Sequence, residues 1–220
     1  TAYEISTRDW SSDVCSSDLP QPGGPDTFYS LRFSSVRPTT PHAHDDGTSV
    51  SLFSRGTWWI DDPGPYRYEN ASPLRVYVKS RAAHAAIMVG KVKRTKSRGV
   101  QQVLSRSDWQ SGGNDTTCVR DRTWSEVVVT RCVQYIRAAD AMVVVDYVNA
   151  GKGRKGRNVS ERWMVAPRLS ATNTNGVITL ASKDKRMDIT KSGPGGWNVH
   201  VADQKSSAGW FTGEIGRAHV

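Results

Sequence analysis

From Thr27 onward the chain alternates apolar and polar residues in short runs, and the period is two rather than three to four. Runs of this kind occur at 27–35 (TFYSLRFSS), 48–55 (TSVSLFSR), 57–61 (TWWID), 74–80 (LRVYVKS) and 85–94 (AAIMVGKVKR). Others follow at 100–106 (VQQVLSR), 126–138 (EVVVTRCVQYIRA) and 141–149 (AMVVVDYVN). After a Gly/basic loop at 150–158 (AGKGRKGRN) and the segment ERWMVAPRLSA come GVITLAS, RMDITKS and WNVHVAD. Val, Ile, Thr and aromatic residues fill these runs, and Gly, Asn, Asp and Pro separate them, which is the signature of strands joined by turns. No stretch holds a helical period for more than two turns. The expected fold is all-β, an antiparallel β-sandwich built from many short strands.

The two ends of the chain do not share this pattern. Residues 13–19 read DVCSSDL and residues 214–220 read EIGRAHV. Encoding the second as GAG ATC GGA AGA GCA CAC GTC and taking the reverse complement gives codons for the first. One DNA segment in opposite orientations therefore flanks the gene, as a translated sequencing adapter would. Residues 1–19 and 214–220 are accordingly expected to be non-biological. Residues 20–41 then form a linker with the first strand, and 42–213 the β-sandwich domain, a fragment whose natural termini lie elsewhere.

This division changes the charge. The chain carries 30 Lys and Arg against 21 Asp and Glu, a formal +9. The two ends hold two of the basic and five of the acidic residues, so the remainder carries +12. Such an excess points to an anionic partner, whether nucleic acid, an anionic membrane surface or an acidic polysaccharide. Basic residues are scattered along the chain except at 91–98 (KVKRTKSR) and 152–157, which argues against a nucleic-acid face lined with exposed aromatics. No apolar run approaches the roughly 20 residues needed for a membrane-spanning helix. With Cys15 assigned to the foreign end, Cys118 and Cys132 remain on two strands joined by a turn near 121–125. They could bridge across those strands, in an oxidising compartment, or stay as two buried thiols.

Candidate chemistry concentrates between Pro41 and His84. His42 and His44 form a His-x-His pair, followed by Asp45-Asp46, an Asp-Pro-Gly turn at Asp62, and His84 on another, apolar strand. At strand positions i and i+2 two imidazoles face one side. Two imidazoles and a carboxylate are a common zinc shell, and neither thiol is needed. Asp146 and Glu161 read as single acids, with no paired-carboxylate pattern of a glycosidase. The glycine run at 193–196 lacks the Lys-Ser/Thr of a phosphate loop, and the sequons at Asn70, Asn114 and Asn158 decide nothing.

The segments HAHDDGTSVSLFSRGTWWIDDPGPYRYEN and RVYVKSRAAH resemble the C-terminal β-sheet region of the heparinase II/III-like polysaccharide lyases. The resemblance is close over 42–84 and looser beyond. It implies that His44, Asp62 and His84 hold one structural zinc, and that His42 faces the substrate and helps neutralise its carboxylate. It makes Tyr66 a catalytic tyrosine, with Tyr68, Arg75 and Tyr77 as substrate-binding candidates. Where such enzymes carry Asn-Thr after the third histidine, this chain has Ala85-Ala86.

The implied reaction is β-elimination on a uronic-acid-containing polyanion of glycosaminoglycan or alginate type, in a secreted or periplasmic enzyme. The similarity also implies a preceding α/α toroid that supplies the other wall of the cleft, so this fragment alone is expected to be inactive. The alternative is a non-catalytic carbohydrate-binding β-sandwich that uses tryptophans as platforms. Most of Trp58, Trp59, Trp109, Trp124, Trp163, Trp197 and Trp210 are expected in the core.

Overall fold

A computed structural model describes residues 12–17 (backbone only), 27–33, 44–64, 72–90, 92, 101–107, 114–150, 158–197 and 199. The first sheet has the order β1-β2-β3-β4, with β1 Ser12–Ser17, β2 Thr27–Phe33, β3 Val50–Ser54 and β4 Thr57–Ile60. A second antiparallel sheet runs β6-β7-β8-β9, with β6 Gln101–Ser107, β7 Asp115–Asp121, β8 Val128–Ile136 and β9 Ala141–Asn149. Two smaller sheets pair β5 (Ile87–Val89) with β10 (Val159–Glu161) and order β11-β12-β13 over Ser170–Thr174, Val177–Ala181 and Arg186–Ile189. Among the described residues all pairings are antiparallel, and the expected sandwich is what the chain forms.

The alternation seen in the sequence becomes burial. Thr27, Tyr29 and Leu31 of β2 and Val50, Leu52 and Ser54 of β3 point inward. Val119 of β7 and Val133 and Tyr135 of β8 meet them from the second sheet, with Ile178 and Leu180 of β12 closing the core. A smaller cluster of Ile87, Val89, Trp124, Val127 and Val129 lies under β5. Trp59 and Trp124 are buried as expected, whereas Trp58 is 40% exposed and meets Phe28 and Phe53 edge-on. Trp109 and Trp210 lie outside the described residues.

Polar struts cross the sandwich at one end. Asp140, in a left-handed conformation (φ 46°), accepts hydrogen bonds from the Tyr135 hydroxyl at 2.7 Å and Arg55 Nε at 2.6 Å. This joins the β8–β9 corner to the β3–β4 turn. Burial, then the hydrogen bond to Asp140, pushes the Tyr135 phenol up to about 12.

Three expectations need correction. Residues 74–80 are not a strand: Pro73–Val78 form the helix α1. Pro73 occupies the first helical turn, where its missing N–H costs nothing and its fixed φ suits the helix. Arg75 and Val78 then face inward together while Val76 is 62% exposed, a spacing of three that a strand cannot give. Among the described residues of the strand expected at 85–94, only Ile87–Val89 form one. His84 is not on a strand either; it ends a single 3-10 turn, Arg81–Ala83. The backbone of Ser12–Ser17, within the segment expected to be foreign, pairs along β2, and backbone ladder bonds are open to any sequence without proline. Among the described residues no helix is long and apolar enough to cross a membrane.

Candidate metal centre

Three loops meet where the sandwich core gives way to polar groups. The first carries His44, Asp45 and Asp46 toward β3. Its backbone is pinned by Asp45 N to Lys79 O (2.9 Å), Thr48 N to Arg32 O (2.7 Å) and Ser49 N to Asp46 O (2.9 Å). The second is the Asp-Pro-Gly turn after β4. There Asp62 Oδ1 accepts from Gly64 N at 2.9 Å and Asp61 Oδ1 accepts from Asp62 N at 2.8 Å, which leaves Asp62 Oδ2 free to point inward. The third is the bend that follows α1 and the 3-10 turn, and it delivers His84 fully buried.

His44 and His84 stand with ring centroids 5.5 Å apart. One donor atom each from His44, Asp46 and His84 lies within 4.8 Å of the others. Asp62, the carboxylate expected as the third ligand, contacts His84 Nδ1 at 2.8 Å. His84 Nε2 is buried without a hydrogen-bond partner. A buried imidazole nitrogen without a partner is costly, and a bound cation would satisfy it. A carboxylate on the far ring nitrogen also fixes the orientation of a ligating histidine. The donor set therefore fits a metal, with Asp46 and Asp62 both in reach of the histidines.

Electrostatics fit the same use. Burial, followed by the nearby His84, lowers the His44 imidazole to about 4, so it is neutral at pH 7 with a lone pair to offer. Burial raises the Asp46 carboxyl to about 6 even though Arg32 Nε lies 2.7 Å away. Burial would also raise Asp62, but the hydrogen bond and charge of His84 outweigh it and hold this carboxyl below its usual range.

Of the other residues singled out by sequence, His42, Tyr66 and Tyr68 lie outside the described residues. Arg75 is buried beneath α1, and the Tyr77 hydroxyl donates to Ala82 O at 3.5 Å. Cys118 and Cys132 face each other across β7 and β8 and form a disulfide. They sit half-buried on the outer face of the sheet, so the alternative of two buried thiols falls away.

Sequence reading missed two buried arginines behind the loops. Arg81 donates from Nη2 to Asp121 Oδ2 at 2.7 Å and to Thr48 Oγ1 at 3.3 Å, and from Nη1 to Asp45 Oδ1 at 3.4 Å. Arg131 gathers Asp146 and Glu161, which are not single acids but partners in one cluster. For Arg131 the visible signal was an arginine at an inward strand position, which demands a buried acid; Arg81, on a 3-10 turn, gave no such signal. Burial, countered by Arg131 and reinforced by Asp146, pushes Glu161 up to about 7. A carboxyl with a raised folded pKa contributes stability below its unfolded value, and that contribution is lost as pH rises through the folded one. Wild-type stability should therefore fall between about pH 4.5 and 7 by more than that of Glu161→Gln, with Asp146, Arg131 and Lys191 as the charges that face this group. Urea midpoints at pH 5 and 8 measure it, and parallel curves for the two proteins would refute it.

Residues 26–219 match the family model described as "Heparinase II/III-like, C-terminal". The heparan sulfate lyase HepC from Pedobacter heparinus shares the fold with a TM-score of 0.58 and 16% identity, over 72% of this chain and 24% of that one. A Heparinase III with methylated lysines gives 0.62 and 14%, over 81% and 28%. A further Heparinase III gives 0.56 and 13%, over 71% and 25%. No curated protein matches the chain. The chain thus spans about a quarter of the length of the solved structures it resembles.

Proposed function

The chain belongs to the heparinase II/III-like C-terminal family, and we propose that it is the C-terminal β-sandwich part of a polysaccharide lyase acting on a uronic-acid-containing polyanion. The observation that carries this reading is the convergence of His44, His84, Asp46 and Asp62 at one end of the family's sandwich. Zinc would be held there by His44, His84 and one carboxylate: Asp46 if His84 binds through Nε2, or Asp62 in place of its contact with Nδ1 if His84 binds through that nitrogen. When bound, it would supply structural fixation of the loop carrying His44, two residues after His42 in the sequence.

In this reading the chain's own residues do the following. His42 lies against the uronate carboxylate and neutralises it, which lets charge develop there as the C5 proton leaves. A histidine or tyrosine, Tyr66 in this chain, takes that proton. The electrons of the C5–H bond form the C4–C5 double bond, the C4–O bond breaks, and a protonated tyrosine returns a proton to the departing oxygen. The basic excess of the chain favours a polyanion of glycosaminoglycan or alginate type. The opposite wall of the cleft would come from an α/α toroid outside this chain. The Cys118–Cys132 disulfide supports a secreted or periplasmic location.

Metal analysis of the purified chain beside His44→Ala tests the reading. About one zinc per wild-type chain, lost in the variant, is expected, together with little or no formation of unsaturated uronate ends by the chain alone. Absence of zinc from both would favour the second reading, a carbohydrate-binding module. The exposed Trp58 flanked by Phe28 and Phe53 supports that reading, although it leaves the histidine cluster unexplained. Turnover by the isolated chain would contradict the assignment of half a cleft.

A further inference from the structure

We propose that Arg131 is a positioning residue for the metal centre: one buried guanidinium fastens the loop carrying His44 and Asp46 to the bend carrying His84. The proposal rests on the reading that this cluster binds a metal. Arg131 lies on the inner face of β8 and is wholly buried. Its Nη1 donates to Thr48 O and to Ala85 O, each at 2.8 Å. Thr48 closes the first loop in a left-handed conformation (φ 64°), and Ala85 directly follows His84. Ala85 O also accepts from Val50 N at 3.3 Å, so this carbonyl joins both loops to the start of β3.

The guanidinium is itself held from behind. Nε and Nη2 donate to the two oxygens of Asp146 at 2.8 Å each, and Nη2 also reaches Glu161 Oε1 at 3.2 Å. The Trp163 ring lies 5.5 Å from its Cζ. The planar fork thus has its acids on one side and two loop carbonyls on the other. Lysine has a single point of charge and cannot serve both sides at once. A buried ion cluster adds little net stability compared with apolar packing. What apolar residues could not supply is a donor shared by two carbonyls, one from each ligand-bearing loop. Fixing ligand geometry through such outer contacts commonly changes metal affinity 10–100-fold.

The test uses the metal-free full chain as wild type, Arg131→Lys, Asp146→Asn and, as a control on an exposed ion pair, Arg186→Lys. Zinc affinity is read by competition with a chromophoric chelator, and ligand geometry by the visible spectrum of the cobalt form. Arg131→Lys should bind zinc at least about tenfold more weakly and shift the cobalt bands, while Arg186→Lys should match wild type. A merely structural arginine would lower apo stability and leave affinity and spectrum of the folded protein unchanged. If Arg131→Lys does not fold, Asp146→Asn, which keeps the shape but weakens the anchor, should show the same direction of change. Failure of wild type to bind zinc would overturn the metal reading itself. The loop fastening is then judged by hydrogen exchange in the metal-free protein. The Val50 amide should exchange about tenfold faster in Arg131→Lys while amides of β12 do not change. Unchanged Val50 exchange overturns the proposal, and so does unchanged zinc affinity where wild type binds zinc.

Discussion

Asp121→Ala is expected to cost about 3–5 kcal/mol, read as a lower urea midpoint with an unchanged slope. Asp121 is fully buried at the end of β7. Its Oδ2 receives Arg81 Nη2 at 2.7 Å, and its Oδ1 receives Thr123 N at 2.9 Å and Thr123 Oγ1 at 2.6 Å. Alanine would strand a guanidinium that is itself almost completely buried, and would release the turn leading to Trp124. Trp124 packs against Arg81 at 4.6 Å, so the stranded charge could not simply move to solvent. The cost lies in the uncompensated ion rather than in the pair. Arg81→Met combined with Asp121→Ala should therefore recover part of the loss, a negative coupling that a double-mutant cycle resolves. A loss below about 1 kcal/mol for Asp121→Ala would mean that Asp45 alone suffices for Arg81. Because Arg81 also holds Thr48 Oγ1 and Asp45, the same variant should loosen the loop that carries His44.

The strands were legible because their period survives burial. The run 141–149 is β9 residue for residue, and 126–138 becomes β8 with its inward set Val129, Arg131, Val133 and Tyr135. The run 74–80 misled because Leu74, Val76 and Val78 alternate with polar residues, a pattern that one and a half turns of helix also satisfy; only Pro73 hinted at the helix. In the site, residue type and spacing brought out His44, His84 and Asp62 because ligating side chains are few and distinctive. The arrangement behind them was not legible. Arg131 meets Asp146 at a separation of 15, Glu161 at 30 and Thr48 at 83. Contacts so distant are set by sheet packing and leave no local spacing to read. Asp46 was hidden for a related reason. It lies beside Asp45, and only the turn pinned by Thr48 and Ser49 decides which of the two acids turns toward the histidines.

Reduction of the Cys118–Cys132 disulfide, or its replacement by paired alanines, is expected to cost about 3 kcal/mol. The two cysteines are 14 residues apart, so the bond closes a short loop, and its main effect is to remove conformations from the unfolded chain. They are direct cross-strand partners, so the native ladder already places them together, and opening the bond leaves the register of Val119 with Arg131 intact. Their half-exposed position on the outer face admits reductant without prior unfolding. Stability and site geometry should therefore separate. The urea midpoint falls on reduction, while zinc affinity of the still-folded chain stays within about twofold, because the change acts on the unfolded state. Parallel loss of both would show that the bond holds β7 and β8 in a shape they do not keep alone, and that Arg131 and Asp121 reach the metal loops only under that constraint. An unchanged midpoint would mean that the unfolded chain keeps the β7–β8 hairpin without the bond. In that case the hairpin that carries one member of each buried acid–arginine cluster, Asp121 and Arg131, would be the most persistent element of the fold.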